Sequence, residues 1–308
     1  LHDRAETDPK GVSIASKAIH RLLESVGPEI APDLRLFLLA EAAKLAGGAL
    51  RSVGNNSEVE EWLDKAEKHF RAGVNPRPGL AQVLYLRLIG MYTLGDPEVV
   101  VRASPQLEAT FTELGMEEDR VKCRILWASS LKVASRLQEA LDVLEPVREW
   151  RSRIRPSLYA WVLLQSGDIH QNLASYDRAL EEFGEAARLF REGRQYIGLA
   201  DLNSMMSCIY RAQGRLDEAL HLLQTSRQDH ARLEMTWAEG YHRMLIAETY
   251  LAMGRPREAE IEIRAALPIL EEQGMLADAV IAVNLLREAV RQRKLDPADT
   301  RGSFKPKK

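Results

Sequence analysis

Cysteine is nearly absent from this sequence, with only Cys123 and Cys208 among 308 residues. Two thiols cannot build a disulfide framework, and they read as reduced side chains of a reducing compartment, the cytoplasm. Long apolar runs are missing as well. No stretch approaches the ~20 residues of a membrane span and no signal peptide opens the chain, so membrane insertion is not expected. The seven histidines show no His-Glu-x-x-His or paired Cys/His spacing, and no glycine-rich phosphate loop occurs, so neither metal nor cofactor is expected. Asp168 and Glu248 sit on equivalent helix faces too far apart in the chain to serve as an acid/base pair. Catalysis finds no foothold, and the expectation is a protein that is not an enzyme. The formal net charge of -3 lacks the basic footprint of a nucleic-acid binder, and direct nucleic-acid binding is not expected. Segments of period two, the mark of strands, are also missing.

What is present is a six-residue phrase written six times. It begins at Gly54, Gly95, Ser135, Ala174, Gly214 and Gly254, with spacings of 41, 40, 39, 40 and 40 residues. The clearest copies are Gly214-Arg-Leu-Asp-Glu-Ala219 and Gly254-Arg-Pro-Arg-Glu-Ala259. A near-fixed period of this size marks a stack of small supersecondary units. The phrase is a helix-to-helix turn: glycine ends one helix, where left-handed backbone is cheap without a Cβ. Pro97 and Pro256 open the next, and acidic residues follow in its first turn. First helices are predicted over 33–53, 78–94, 117–134, 157–173, 197–213 and 236–253. Second helices are predicted over 57–72, 97–114, 137–151, 176–192, 216–233 and 256–272, with Pro105 expected to kink or split its helix.

Small and large residues alternate down each unit. The phrase closes on Ala140, Ala179, Ala219 and Ala259, and four residues on come Leu144, Phe183, Leu223 and Ile263. Twelve before each alanine stands Ala128, Gly167, Ser207 or Ala247, followed three later by Leu131, His170, Tyr210 and Tyr250. Small residues facing large ones are what interdigitating antiparallel helices require. On this ladder the chain resembles the tetratricopeptide-repeat (TPR) proteins over about residues 33–272. Its repeat is closer to 40 than the usual 34 residues, as in kinesin-light-chain-type and MalT-type arrays. The resemblance implies an all-α, TPR-like α-solenoid, a right-handed superhelix of about six helix hairpins.

The resemblance also implies a binding groove on the first helices, the concave face. Carried onto this chain, that face holds Tyr85, Ile89 and Tyr92, then Lys122, Ser129 and Lys132. It continues through Trp161, Leu164, Asp168 and Gln171, then Ser204, Met205, Cys208 and Arg211, and ends at Tyr241, Met244 and Glu248. Aromatic anchors, adaptable methionines and separated charges suit an extended peptide or a protein partner. The implied function is a non-enzymatic peptide- or protein-binding scaffold, the sensor or interaction module of a larger regulatory protein. Two alternatives stand beside it: a ligand-gated transcription regulator with its DNA-binding domain upstream, and a scaffold that self-associates as a homodimer through its N-terminal end.

The flanks are simpler. Residues 1–10 read as a polar linker remnant, and residues 11–294 as a single repeat domain. Within it, 11–26 form an amphipathic helix with a stripe of Ile14, Ala18, Ile19, Leu22, Leu23 and Val26. That helix suits either a cap or the second half of a hairpin. A final helix over 275–293, with Leu276, Val280, Val283, Leu286 and Val290 on one side, reads as a closing cap with a polar outer face. From Arg287 to Lys308 eight basic residues face three acidic ones, and 295–308 reads as a disordered, solubilising basic tail.

Overall fold

The computed structural model describes residues 8–25, 30–52, 57–232 and 235–295. The phrase at Gly54, the linker before residue 8 and the tail beyond residue 295 lie outside them. The described residues form fourteen α-helices and no strand. The helices are α1 (Pro9–Ser25), α2 (Pro32–Ser52), α3 (Val59–Ala72), α4 (Arg77–Thr93), α5 (Pro97–Glu113), α6 (Glu117–Val133) and α7 (Leu137–Leu144). After a 3-10 segment at Glu145–Arg153 come α8 (Pro156–Asn172), α9 (Tyr176–Glu192), α10 (Tyr196–Ala212), α11 (Leu216–Arg232), α12 (Thr236–Ala252), α13 (Pro256–Glu272) and α14 (Leu276–Leu295). Most fall within one or two residues of the spans predicted from the repeat. Contacts divide the chain into two compact units, Leu1–Gln195 and Tyr196–Lys308.

The turns are built alike. At Gly95, Gly115, Gly214, Gly254 and Gly274 the backbone takes positive φ, and Ser135, Ala174 and Arg194 adopt the same conformation without glycine. At Gly214 its amide reaches Arg211 O at 3.0 Å and the next amide reaches Tyr210 O at 2.8 Å. Ala174 and Ser175 repeat this pattern onto Gln171 and His170. These paired bonds are the Schellman closure that satisfies the last carbonyls of a helix. Just beyond, the arginine of the phrase grips its glutamate three residues on, in Arg136–Glu139, Arg215–Glu218 and Arg255–Glu258.

Inside each hairpin the ladder is the core. Ala140, Ala179, Ala219 and Ala259 are fully buried, with Phe183, Leu223 and Ile263 packed one turn later. Gly167 shows why the facing position must be small: a Cβ there would lie 2.5 Å from Phe183 Cε1 and 3.3 Å from Ala179 O.

Four elements differ from their predicted form. The helix expected over 137–151 is α-helical only to Leu144. Pro146 follows, and a proline amide cannot supply the next i→i−4 bond. The 3-10 segment is held instead by Trp150, whose ring lies 3.8 Å beneath the Arg120 guanidinium. Pro105, expected to kink or split α5, sits inside a single helix running from Pro97 to Glu113. In α1 the buried residues are Val12, Ser13, Ser16, His20 and Leu23, while Ile14, Ile19 and Leu22 of the expected stripe are exposed. Small serines allow close packing, and His20 sets its ring edge-on to Trp62 at 5.2 Å. α14 likewise buries Ala279, Ala282 and Ala289, leaving Leu276, Val280 and Val283 exposed. The large Ile263 and Leu270 of α13 already fill the interface, so alanines bring α14 close enough to pack. Its outer face is therefore not the polar back of a cap.

Candidate functional site: the face of the first helices

Successive first helices present their polar residues to one another. In the first unit, Lys44 on α2 bonds Gln82 on α4, and Gln82 donates to Asp119 on α6 at 3.0 Å. Lys122 lies 3.6 Å from the same Asp119 carboxylate. Ser129 on α6 donates to Gln165 on α8 at 2.9 Å, and Lys132 pairs with Asp168. Asp168 is buried and also accepts from Asn172 at 3.2 Å. The partners on successive first helices are 36 to 38 residues apart, because equivalent positions of neighbouring hairpins stand side by side.

The aromatic residues of this face are half-buried. Tyr85 and Tyr92 lean on the cluster of Val100, Leu107 and Phe111. Burial raises the Tyr85 phenol well above its usual range, so it stays a neutral hydroxyl. Trp161 places its ring edge-on against Phe190 at 5.1 Å and keeps part of its surface open. One turn on, the Gln165 amide nitrogen is buried with no hydrogen-bond partner. Sequence reasoning passed over that residue, whose only signal was its place between Trp161 and Asp168 on the same helical face.

The second unit shows the same construction. Arg211 on α10 pairs with Glu248 on α12 at 2.7 Å and lies 3.5 Å from Leu245 O. The carboxylate that Arg211 suits is thus supplied by the chain itself. Met205 and Tyr241 are half-buried, and Tyr241 sets its ring edge-on to His242 at 5.9 Å. Met244 corrects the expected face. It is 3% exposed, in the core with Ala247, Ala259 and Ile263, and is a packing residue.

Beneath this face lies a polar knot. Ser204 and Ser226 both lie within hydrogen-bonding distance of His242 Nε2, at 2.9 and 2.8 Å. His242 Nδ1 donates to Ala238 O, and the His230 ring packs 4.8 Å away. His230 in turn reaches Asp201 at 3.1 Å. Burial pushes the His242 imidazole down to about 4, so it is neutral at physiological pH. Cys123 is buried and its thiol is pushed up to about 12 by that burial, which makes it unreactive. Neither cysteine is in a disulfide.

Among the described residues no group of His, Cys, Asp and Glu is placed to hold a metal ion, and no helix is long and apolar enough to cross a membrane.

No protein-family model matches this sequence. No curated protein matches it either. Among solved structures the chain is similar to a Rap protein complexed with Competence and Sporulation Factor. The TM-score is 0.59 at 16% identity, covering 89% of this chain and 79% of that one. It is similar as well to aspartyl phosphate phosphatase F from Bacillus subtilis, with a TM-score of 0.54 at 12% identity, covering 85% and 71%. A third is the Cut9-Hcn1 hetero-tetramer of the APC/C, with a TM-score of 0.53 at 15% identity, covering 92% of this chain and 53% of that one. At these identities the likeness is one of fold: a TPR-type helical solenoid.

Proposed function

We propose that this chain is a non-enzymatic binding module that holds a peptide or protein against its first helices. The observation that carries the reading is the half-open Trp161 indole beside the unsatisfied, buried Gln165 amide. An open aromatic edge suits an apolar side chain of a polypeptide, and rotation of the Gln165 side chain would turn its unmet donor toward a backbone carbonyl. The cross-repeat pairs Lys132–Asp168 and Arg211–Glu248 fix neighbouring helices around such anchors. A rigid surface loses less entropy on binding. The solved Rap protein of similar fold is complexed with a factor, which supports binding over catalysis. Another neighbour is named for a phosphatase activity, so fold alone leaves both classes standing.

Selection of peptides on the full chain from a displayed random library tests this. Trp161→Ala should weaken the selected peptides by about tenfold or more. Arg102→Glu, on the exposed side of α5, should leave them unchanged. Peptides that respond to Arg102 and ignore Trp161 contradict the reading.

A second reading rests on α1, where Ile14, Ile19 and Leu22 are exposed together. Exposed apolar side chains grouped on one helix suit self-association. Light scattering should then show a dimer that Leu22→Glu dissociates; a monomer at all concentrations removes this alternative.

A further inference from the structure

A cleft of about 580 Å³ opens on the side of the second helices, between α7 and α9 over α8. It exists because α7 stops at Leu144, two turns short of its counterparts, so the gap to α9 is unfilled. Its floor is apolar, with Leu141, Val162 and Leu163. Its walls carry five carboxylates, of Asp142, Glu145, Glu181, Glu182 and Glu185, against the guanidinium groups of Arg148 and Arg178, with Arg151 pairing Glu185 at 2.7 Å from the rim. Excess negative charge on apolar walls focuses the field on a cation.

Two side chains at its base give the cleft chemical character. Glu182 is buried; its Oε1 accepts from Arg148 and its Oε2 from Ser166, which leaves Oε1 a second lone pair for a further donor. His170, in the slot filled by Tyr210 and Tyr250 in later repeats, is 9% exposed, and its ring makes no hydrogen bond. Its Nε2 stands 4.0 Å from Glu182 Oε1, too far for a direct bond. Two acceptors that share one nitrogen donor, each at about 2.9 Å, sit about this far apart when the angle between them is near a right angle. The phrase is also altered in this repeat. Ser175 stands where Arg215 and Arg255 stand, and Arg178 where Glu218 and Glu258 stand, so the turn's ion pair is missing.

We propose that this cleft binds a primary alkylammonium group, with the nitrogen donating to both Glu182 Oε1 and His170 Nε2. The alkyl stem would lie along Leu141, Val162 and Leu163. An ammonium is favoured over a guanidinium because a compact, three-donor centre bridges two convergent acceptors, whereas a planar fork does not. The site is separate from the first-helix face and does not depend on it. The same chemistry comes from the lysine side chain of a polypeptide or from a free polyamine.

Calorimetry and amide-shift mapping on the full chain test this with three probes: spermidine, an acetyl-Gly-Lys-Gly-amide peptide, and the same peptide with its lysine acetylated. Spermidine or the lysine peptide should bind and shift amides of α8 and α9, and whichever binds identifies the source. The acetylated peptide should not bind, since it lacks the charge. His170→Phe keeps the ring and removes the acceptor, and it should weaken binding by about tenfold or more. Glu181→Gln, an exposed change, should weaken it about twofold through the lost field. Failure of both amines to bind at about 10 mM overturns the proposal. So does equal binding by His170→Phe, equal binding of the acetylated peptide, or amide shifts confined to other helices.

Discussion

At the scale of single residues, the backbone cost of the repeat turn is visible where glycine is missing. Ala174 holds φ 56° at an exposed helix end, a conformation that glycine adopts freely. A left-handed non-glycine residue costs roughly 1–2 kcal/mol, and part of the gain from glycine is lost to the freer unfolded chain. Ala174→Gly should therefore stabilise the protein by about 0.5–1 kcal/mol in urea unfolding. Gly167→Ala acts oppositely, since its Cβ meets the Phe183 ring at 2.5 Å, and should cost about 1–3 kcal/mol. If Ala is tolerated there, the helix pair is looser than the ladder implies. His242 adds a pH dependence. Its imidazole takes up a proton near pH 6.5 when unfolded and only near 4 when folded. Between those values the unfolded chain binds more protons, so stability is complete above pH 6.5 and falls as pH drops toward 4. The loss from this group is roughly 3 kcal/mol. Burial lowers His20 and His69 as well, which acts in the same direction. His242→Gln should flatten the acid limb of a melting-temperature profile; an unchanged limb would remove His242 from the account.

At the scale of elements, the sequence was most legible where packing is repeated and least where charge pairs across repeats. Helix spans followed from the turn phrase and the alanine ladder, because both are local. Asp168 and Arg211 were expected to face a ligand, yet Lys132 and Glu248 already hold them. Those partners stand 36 and 37 residues away, where only the stacking of hairpins shows the contact. Lys132→Met should leave the buried Asp168 carboxylate uncompensated and cost about 1–3 kcal/mol. Asp168→Asn should cost less, because an amide needs no counter-charge. α1 and α14 were misoriented for a related reason. Their large residues suggested the buried side, but close approach to a neighbour selected serine and alanine instead. The cleft beside α7 had a signal that was not used: Pro146, together with the exchange of charges at Ser175 and Arg178.

At the scale of the whole molecule, the fold is shared with solved structures at 12–16% identity, so the architecture tolerates wide change in sequence. The residues that the ladder leaves free follow no repeat, and the proposed binding would rest on them. That is why the solenoid could be read from one chain and its partner could not. The proposed function places a polypeptide on the first helices. Hydrogen exchange of the full chain, with and without a library-selected peptide, tests it most directly. Bound peptide should slow exchange in α8, which carries Trp161, and leave α9 of the same unit unchanged. Slowing confined to α9 would contradict it.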